Sequence, residues 1–209
     1  MMEMSEEIAT TADWREFGDD ALSPPLRAAL GVFARHGYHG ASIRMIAEAA
    51  GLSVPGLYHH YRSKQAILAA LVDTAMAEML ANTAAAADDA GDDPVTRFEN
   101  VVECLARFHM ARRDQAFVAS TEMRSMEPEV RAHHVGQRDA QQKMIEDAIR
   151  AGVESGDFAC EFPEDAARAI ASLCVSIANW YRPDGPLSAD DVVCRHVEFA
   201  RRMVGAADR

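Results

Sequence analysis

The sequence predicts an all-α protein: an N-terminal three-helix head carrying a helix-turn-helix, followed by a larger helical bundle. Three observations predict it. Apolar residues recur at three- and four-residue spacing through most of the 209 residues. No stretch shows the period-two alternation of a strand. The segment Ser42 to Lys64 reads as a short helix, a glycine turn, a second short helix and a cationic edge.

The elements follow in order. Residues 1–22 are acidic and weakly periodic, and a disordered extension is expected there, although Trp14 and Phe17 offer local packing. Ser23-Pro24-Pro25 opens the first helix, since proline is tolerated in a first turn. Leu26, Ala29, Leu30 and Phe33 form its inner face, and Gly37 and Gly40 end it. Ser42 caps the second helix, with Ile43, Ile46, Ala47 and Ala50 inward and Gly51 as its stop. Ser53 caps the third, with Pro55 in its first turn. Ser63 opens a long fourth helix with Ile67, Leu68, Leu71, Val72, Ala75 and Met79 on one face. Residues 81–93, rich in Ala, Asp and Gly, predict a break or fraying end. Further helices are expected near 94–112, 114–125, 127–155, 163–181 and 188–205, the last opened by a Ser188/Asp191 capping box. The domains are therefore an extension over 1–22, a helix-turn-helix domain over 23–66 and a larger helical domain over 67–209.

Composition narrows the function. No run approaches a membrane span of about 20 apolar residues, and the acidic start lacks the basic-then-apolar order of a signal peptide. Four cysteines (Cys104, Cys160, Cys174, Cys194) form no CxxC pair and read as reduced thiols of a cytoplasmic protein, with Cys104 and Cys174 on apolar helical faces. The net charge is −12, but it is unevenly spread. Residues 23–64 hold Arg27, Arg35, Arg44, Arg62 and Lys64 against Glu48 alone, a net +4. A basic island on an acidic body suits local contact with duplex DNA and suppresses non-specific association.

A recognition helix must be anchored on one side and bare on the other. Leu57 is the anchor, directed at Phe33, Ile46 and Ala47. Gly56 has no side chain, so the backbone can approach a base edge or thymine methyl. Tyr58 and His59 lie outward; His60, Tyr61 and Lys64 follow at the rim, where donors meet phosphate oxygens. Ser42 and Ser53 set helix N-termini beside the backbone, and Arg44 can grip phosphate or a guanine edge. Each residue also has a plainer reading, Tyr58 as a core aromatic and His59-His60 as a surface pair; the ordered set carries the signal.

The stretch Phe33 to Leu71 resembles the N-terminal domain of tetracycline-repressor-type (TetR family) regulators. The matching pieces are Phe-Ala-Arg-His-Gly-Tyr-His-Gly-Ala-Ser-Ile-Arg, Ile-Ala-Glu-Ala-Ala-Gly-Leu-Ser, Gly-Leu-Tyr-His-His-Tyr and Ser-Lys-Gln-Ala-Ile-Leu. The resemblance implies that Arg44, Pro55, Gly56 and Tyr58 face bases or sugars and that Ser42, His60 and Lys64 meet phosphates. Met45 stands where many relatives carry an acid, so the second helix lacks a reciprocal cap. The acidic start also departs from relatives with basic arms. Residues 177–188, Ile-Ala-Asn-Trp-Tyr-Arg-Pro-Asp-Gly-Pro-Leu-Ser, are similar to a branch that responds to acyl-coenzyme A thioesters and governs fatty-acid or steroid breakdown. The resemblance further implies a homodimer through the last two helices, for which Ile170, Leu173, Ile177, Val193, Val197, Phe199 and Val204 are candidates.

An effector site in the bundle would be a mostly apolar cavity with a few polar groups. Its candidates are Phe98, Leu105, Phe108, Phe117, Met123, Met126, Met144 and Trp180, with Arg112, Arg113, Arg124 and Arg138 available to an acyl-CoA's phosphates. Apolar residues at helical spacing are core residues first, and the arginines have Glu122, Glu127 and Asp139 as alternative partners. His133-His134 lacks further ligands at metal spacing and reads as a solvated pair; no metal or cofactor is expected. The expected function is a ligand-responsive repressor released from a palindromic operator by a small apolar effector. Two alternatives stay open. A helical adaptor would show little duplex affinity and no steep salt dependence. A thioester-processing enzyme would need a Cys or His nucleophile, and no phosphate loop or nucleophile elbow is present.

Overall fold

The computed structural model describes residues 13–207. Among the described residues there are nine α-helices, one short 3-10 turn and no strand. The head consists of α1 (Pro24–Gly40), α2 (Ile43–Ala49) and α3 (Val54–His60), and α4 (Lys64–Asp89) leads from it into the bundle. The bundle continues with α5 (Pro94–Ala111), α6 (Arg113–Thr121), the 3-10 turn Glu122–Ser125, α7 (Pro128–Ser155), α8 (Pro163–Trp180) and α9 (Ala189–Met203).

Side-chain caps set the starts of these helices. The hydroxyls of Ser42, Ser53 and Ser63 accept from the amides of Met45, Gly56 and Ala66 at 3.2, 3.1 and 3.0 Å. Ser188 and Asp191 form the reciprocal capping box of α9. Proline occupies the first turn of α1, α3, α5, α7 and α8. At Gly37 the chain takes φ 66°, which kinks α1 one turn before its end.

Two expectations are corrected. The break predicted over 81–93 is absent as far as Asp89: α4 runs through the alanines, which are the best helix formers, and buries Thr83 and Ala86 against α5. The disordered extension is the second. Residues 1–12 lie outside the described residues, but from residue 13 the segment packs along the bundle. Trp14 is 5% exposed against Ala86 and Cys104, and its indole N–H donates to Asp89 at 3.1 Å. Arg15 donates to Asn100 at 3.4 Å, and Phe17 stands edge-on to Phe108 with centroids 5.9 Å apart. Two aromatics give this acidic segment enough apolar area to be held.

The core is continuous. Leu26, Phe33, Ile46 and Leu57 of the head join Ile67, Leu68 and Leu71 of α4, and then Phe98, Leu105, Ile145, Ile149 and Ile170 of the bundle. By length and composition α4 could cross a membrane, against the sequence reading that no run approaches a span, but its apolar face is spent inside this core. Trp14→Ala is expected to lower the unfolding free energy by about 3 kcal/mol, read from urea denaturation; a loss too small to resolve would show that the segment does not contribute its packing.

Candidate nucleic-acid interface and effector chamber

The head builds a surface from α2 and α3. Leu57 is fully buried with Phe33, Ile46 and Ala47 in one cluster, while its neighbour Tyr58 is 47% exposed. Burying one side of a two-turn helix so completely fixes what the other side presents. Arg44, Ser53, Pro55, His59 and His60 are exposed with Tyr58, as is Ser42 at the start of α2. A Cβ on Gly56 would come 3.2 Å from the Ser53 hydroxyl, so glycine keeps both the cap and a bare backbone on the outer face. Tyr61 is partly buried, and its hydroxyl lies 3.2 Å from that of Ser23.

Lys64 is more committed than the sequence suggested. Its ammonium donates to the carbonyls of Tyr38 and Ala41 at 2.7 and 2.8 Å and lies 4.1 Å from the centre of the Tyr38 ring. It ties the end of α1 to the start of α4, leaving one of its three donors for a phosphate.

The bundle contains a cavity of about 260 Å³ between α4, α5, α6, the 3-10 turn, α7 and α8. Phe108, Met123 and Arg138, three of the predicted effector residues, line it. The others do not. Phe98 and Leu105 are core residues, Phe98 edge-on to Phe158 at 5.2 Å. Arg112 is buried and bound through two nitrogens to Glu78 at 2.8 and 2.6 Å, which raises its pKa and commits its charge to that carboxylate. Arg113 donates to the Tyr181 carbonyl at 3.4 Å. Phe117 and Met144 are partly buried away from the cavity wall, Met126 is core, and Arg124 is exposed beside Met123. Trp180 is 44% exposed on the outside of α8, stacked on His196.

Sequence reasoning missed Met76 and Met79 of α4, His109 of α5, and His134 and Gln141 of α7. The signal was there for α7: 134, 138 and 141 share one helical face. His134 is not a solvated residue, being 3% exposed, and burial with the nearby Arg138 charge lowers its pKa. His109 is buried as well; burial pushes its pKa down to about 4. Cys104 and Cys174 are pushed up to about 12 by burial, so neither is a thiolate nucleophile near neutral pH.

The dimer candidates also divide. Ile170, Ile177 and Val204 are fully buried within the monomer, Val193 nearly so, and Leu173 and Val197 partly. An inward apolar face serves the core, so the apolar residues left outside on α8 and α9 are Trp180, Phe199 and Met203.

Known proteins match at every level. Residues 26–71 match the model of bacterial regulatory proteins of the tetR family, and residues 91–204 the model of the tetracyclin repressor-like C-terminal domain. The repressor KstR2 of Mycobacterium tuberculosis is 27% identical over 169 residues, covering 80% of this chain and 84% of that one. A tetR-family regulatory protein from Rhodococcus RHA1 superposes with a TM-score of 0.84 at 32% identity, over 91% of this chain and all of the other. The fold is shared too by AibR, solved with isovaleryl coenzyme A and operator DNA (TM-score 0.74, 22% identity, 88% of this chain and all of the other). The protein is thus a DNA-binding transcriptional regulator and not an enzyme. It belongs to the TetR family.

The neutral imidazoles have a consequence for stability. A histidine whose folded pKa lies below its unfolded value stabilises fully above the unfolded pKa near 6.5 and loses that contribution as pH falls toward 4. For His109 the full loss is roughly 3 kcal/mol. The urea midpoint should fall between pH 7.5 and pH 5, and His109→Phe should flatten that slope. A midpoint independent of pH across this window would contradict the burial of a neutral His109.

Proposed function

We propose that the protein is a homodimeric, effector-released repressor of a palindromic operator. The observation that carries the reading is the pairing of a fully buried Leu57 with an exposed Tyr58 on the short α3. Two such heads, related by a two-fold axis, would place α3 in successive major grooves about 34–36 Å apart. Arg44, Pro55, Gly56, Tyr58 and His59 then face bases and sugars, and Ser42, Ser53, His60, Tyr61 and the remaining Lys64 donor face phosphates. Trp180, Phe199 and Met203 supply apolar area for pairing the copies.

The effector occupies the cavity enclosed by α4 to α8. An acyl-CoA thioester suits it as a class, its acyl group inside and its phosphates toward the exposed Arg124 and Arg138, which have no ion pair among the described residues. The description of KstR2 as a ketosteroid transcriptional regulator and the structure of AibR with isovaleryl coenzyme A support that choice.

A physical route joins the cavity to the head. Met123 lines the cavity from the 3-10 turn. Two residues on, the Ser125 carbonyl accepts from the Gln65 side chain at 2.5 Å, and the Gln65 oxygen accepts from the Glu127 amide at 3.2 Å. Gln65 is the second residue of α4, next to Lys64, which holds the end of α1. A ligand that displaces Met123 therefore pulls on the root of α4 and on α1 together. Ligand binding shifts the heads only through unequal affinity for two arrangements, and a coupling of about 1–3 kcal/mol weakens DNA binding roughly 5–150-fold.

Fluorescence anisotropy on a duplex selected from a random pool tests this. Arg44→Ala should weaken binding by about 1–3 kcal/mol and relax one base position, whereas Lys64→Ala should weaken all sequences alike and reduce the salt slope by about 1. Unchanged affinity in Arg44→Ala and Tyr58→Ala would refute the assigned surface.

A further inference from the structure

The polar groups of the cavity restrict what can enter it. His109 fixes its own tautomer. Its Nδ1 lies 2.7 Å from the Leu105 carbonyl, which can only accept, so Nδ1 carries the proton and Nε2 presents a lone pair. Burial keeps the ring uncharged, and Nε2 has no partner among the described residues. It requires a donor. Gln141, 7% exposed, has the opposite need: its Nε2 is a buried amide donor without an acceptor. Each unmet group costs free energy that a suitable ligand recovers.

The wall excludes several classes. No Asp or Glu lines the cavity, and Arg138 stands at its edge, so an ammonium finds no counter-charge. A ketone or carboxylate oxygen satisfies Gln141 but sets lone pair against lone pair at His109. A hydroxyl serves both, donating to one and accepting from the other. Ser120, whose hydroxyl donates to the Phe117 carbonyl at 2.9 Å, and His134 also line the wall; the rest of it is apolar, with Met76, Met79, Phe108 and Met123 prominent. The volume of about 260 Å³ is roughly nine times the ~30 Å³ share of a water, and so encloses about nine non-hydrogen atoms.

We propose that the cavity selects an uncharged hydroxylated group on a compact aliphatic or alicyclic body, its hydroxyl donating to His109 Nε2 and accepting from Gln141 Nε2. This rests on the effector role proposed above: the alcohol is the enclosed part of that effector, and whatever it is attached to extends past Arg138. The selectivity is against the ketone of the same skeleton.

Cyclooctanol and cyclooctanone, matched in size, are the probes. Full-length protein is titrated with each by ligand-observed NMR, and the histidine ring nitrogens are followed by nitrogen-15 NMR. The alcohol should bind about tenfold tighter than the ketone, and only the alcohol should shift His109 Nε2. The preference should vanish in His109→Phe and shrink in Gln141→Met; the ring-nitrogen shift of the wild type decides the matter should His109→Phe not fold. A ketone that binds as tightly as the alcohol, a preference that survives in folded His109→Phe, or no binding of either probe at millimolar concentration overturns the ligand class. Duplex affinity is measured separately with cyclooctanol present. Selective binding of the alcohol without any change in duplex affinity supports the ligand class and overturns the effector role of the cavity.

Discussion

The structure depends on α4 packing beneath the head and walling the cavity at once, within one continuous core. Ile67, Leu68 and Leu71 at its start complete the packing beneath the head, while Met76 and Met79, two turns on, form a wall of the cavity. A helix is stiff over these few turns, so the two regions cannot repack independently. The head therefore sits on a lever whose far part faces the cavity. The 3-10 turn at Glu122–Ser125 gives a second link, since Met123 faces the cavity and Ser125 holds Gln65.

That arrangement explains where the chain tolerates cost. A core that only had to be stable would not bury His109, His134 and Gln141 with hydrogen-bonding capacity unused. Several other buried polar groups are satisfied: Arg112 meets Glu78, Asn100 donates to the Ala86 carbonyl, and Thr83 donates to the Met79 carbonyl. His109, His134 and Gln141 line the cavity whose walls touch both levers, while the buried Gln115 amide and Arg97 Nε are unmet elsewhere. Cavity-lining polarity of this kind is selective because the empty state is the costly one.

Local chemistry made most of the fold legible in the sequence. Serine caps, first-turn prolines and helical spacing locate the helices closely, because each acts within a turn of its own position. The head was readable for the same reason: Leu57 and Tyr58 are consecutive, and a short helix must turn one inward and the other out. Long-range choices were not legible. Trp14 meets Asp89 across 75 residues, and nothing local to the acidic segment announces it. Arg112 looked available to a phosphate until Glu78, 34 residues earlier, engaged two of its nitrogens. The cavity has the same character, since five helices and a turn each contribute one to three residues and only their assembly decides which face the gap. Ile170 and Ile177 show the limit for the dimer surface: an apolar residue at helical spacing reads the same whether its neighbour is its own core or a second copy.

The central claim is that occupancy of the cavity governs the hold on DNA. Ala119→Trp fills the space from the cavity-lining face of α6. Operator affinity of this variant, measured by anisotropy beside the wild type, tests the claim most directly. Weakening of about 5-fold or more with an intact fold is the predicted result. Wild-type affinity in a variant whose cavity is demonstrably filled would contradict the account.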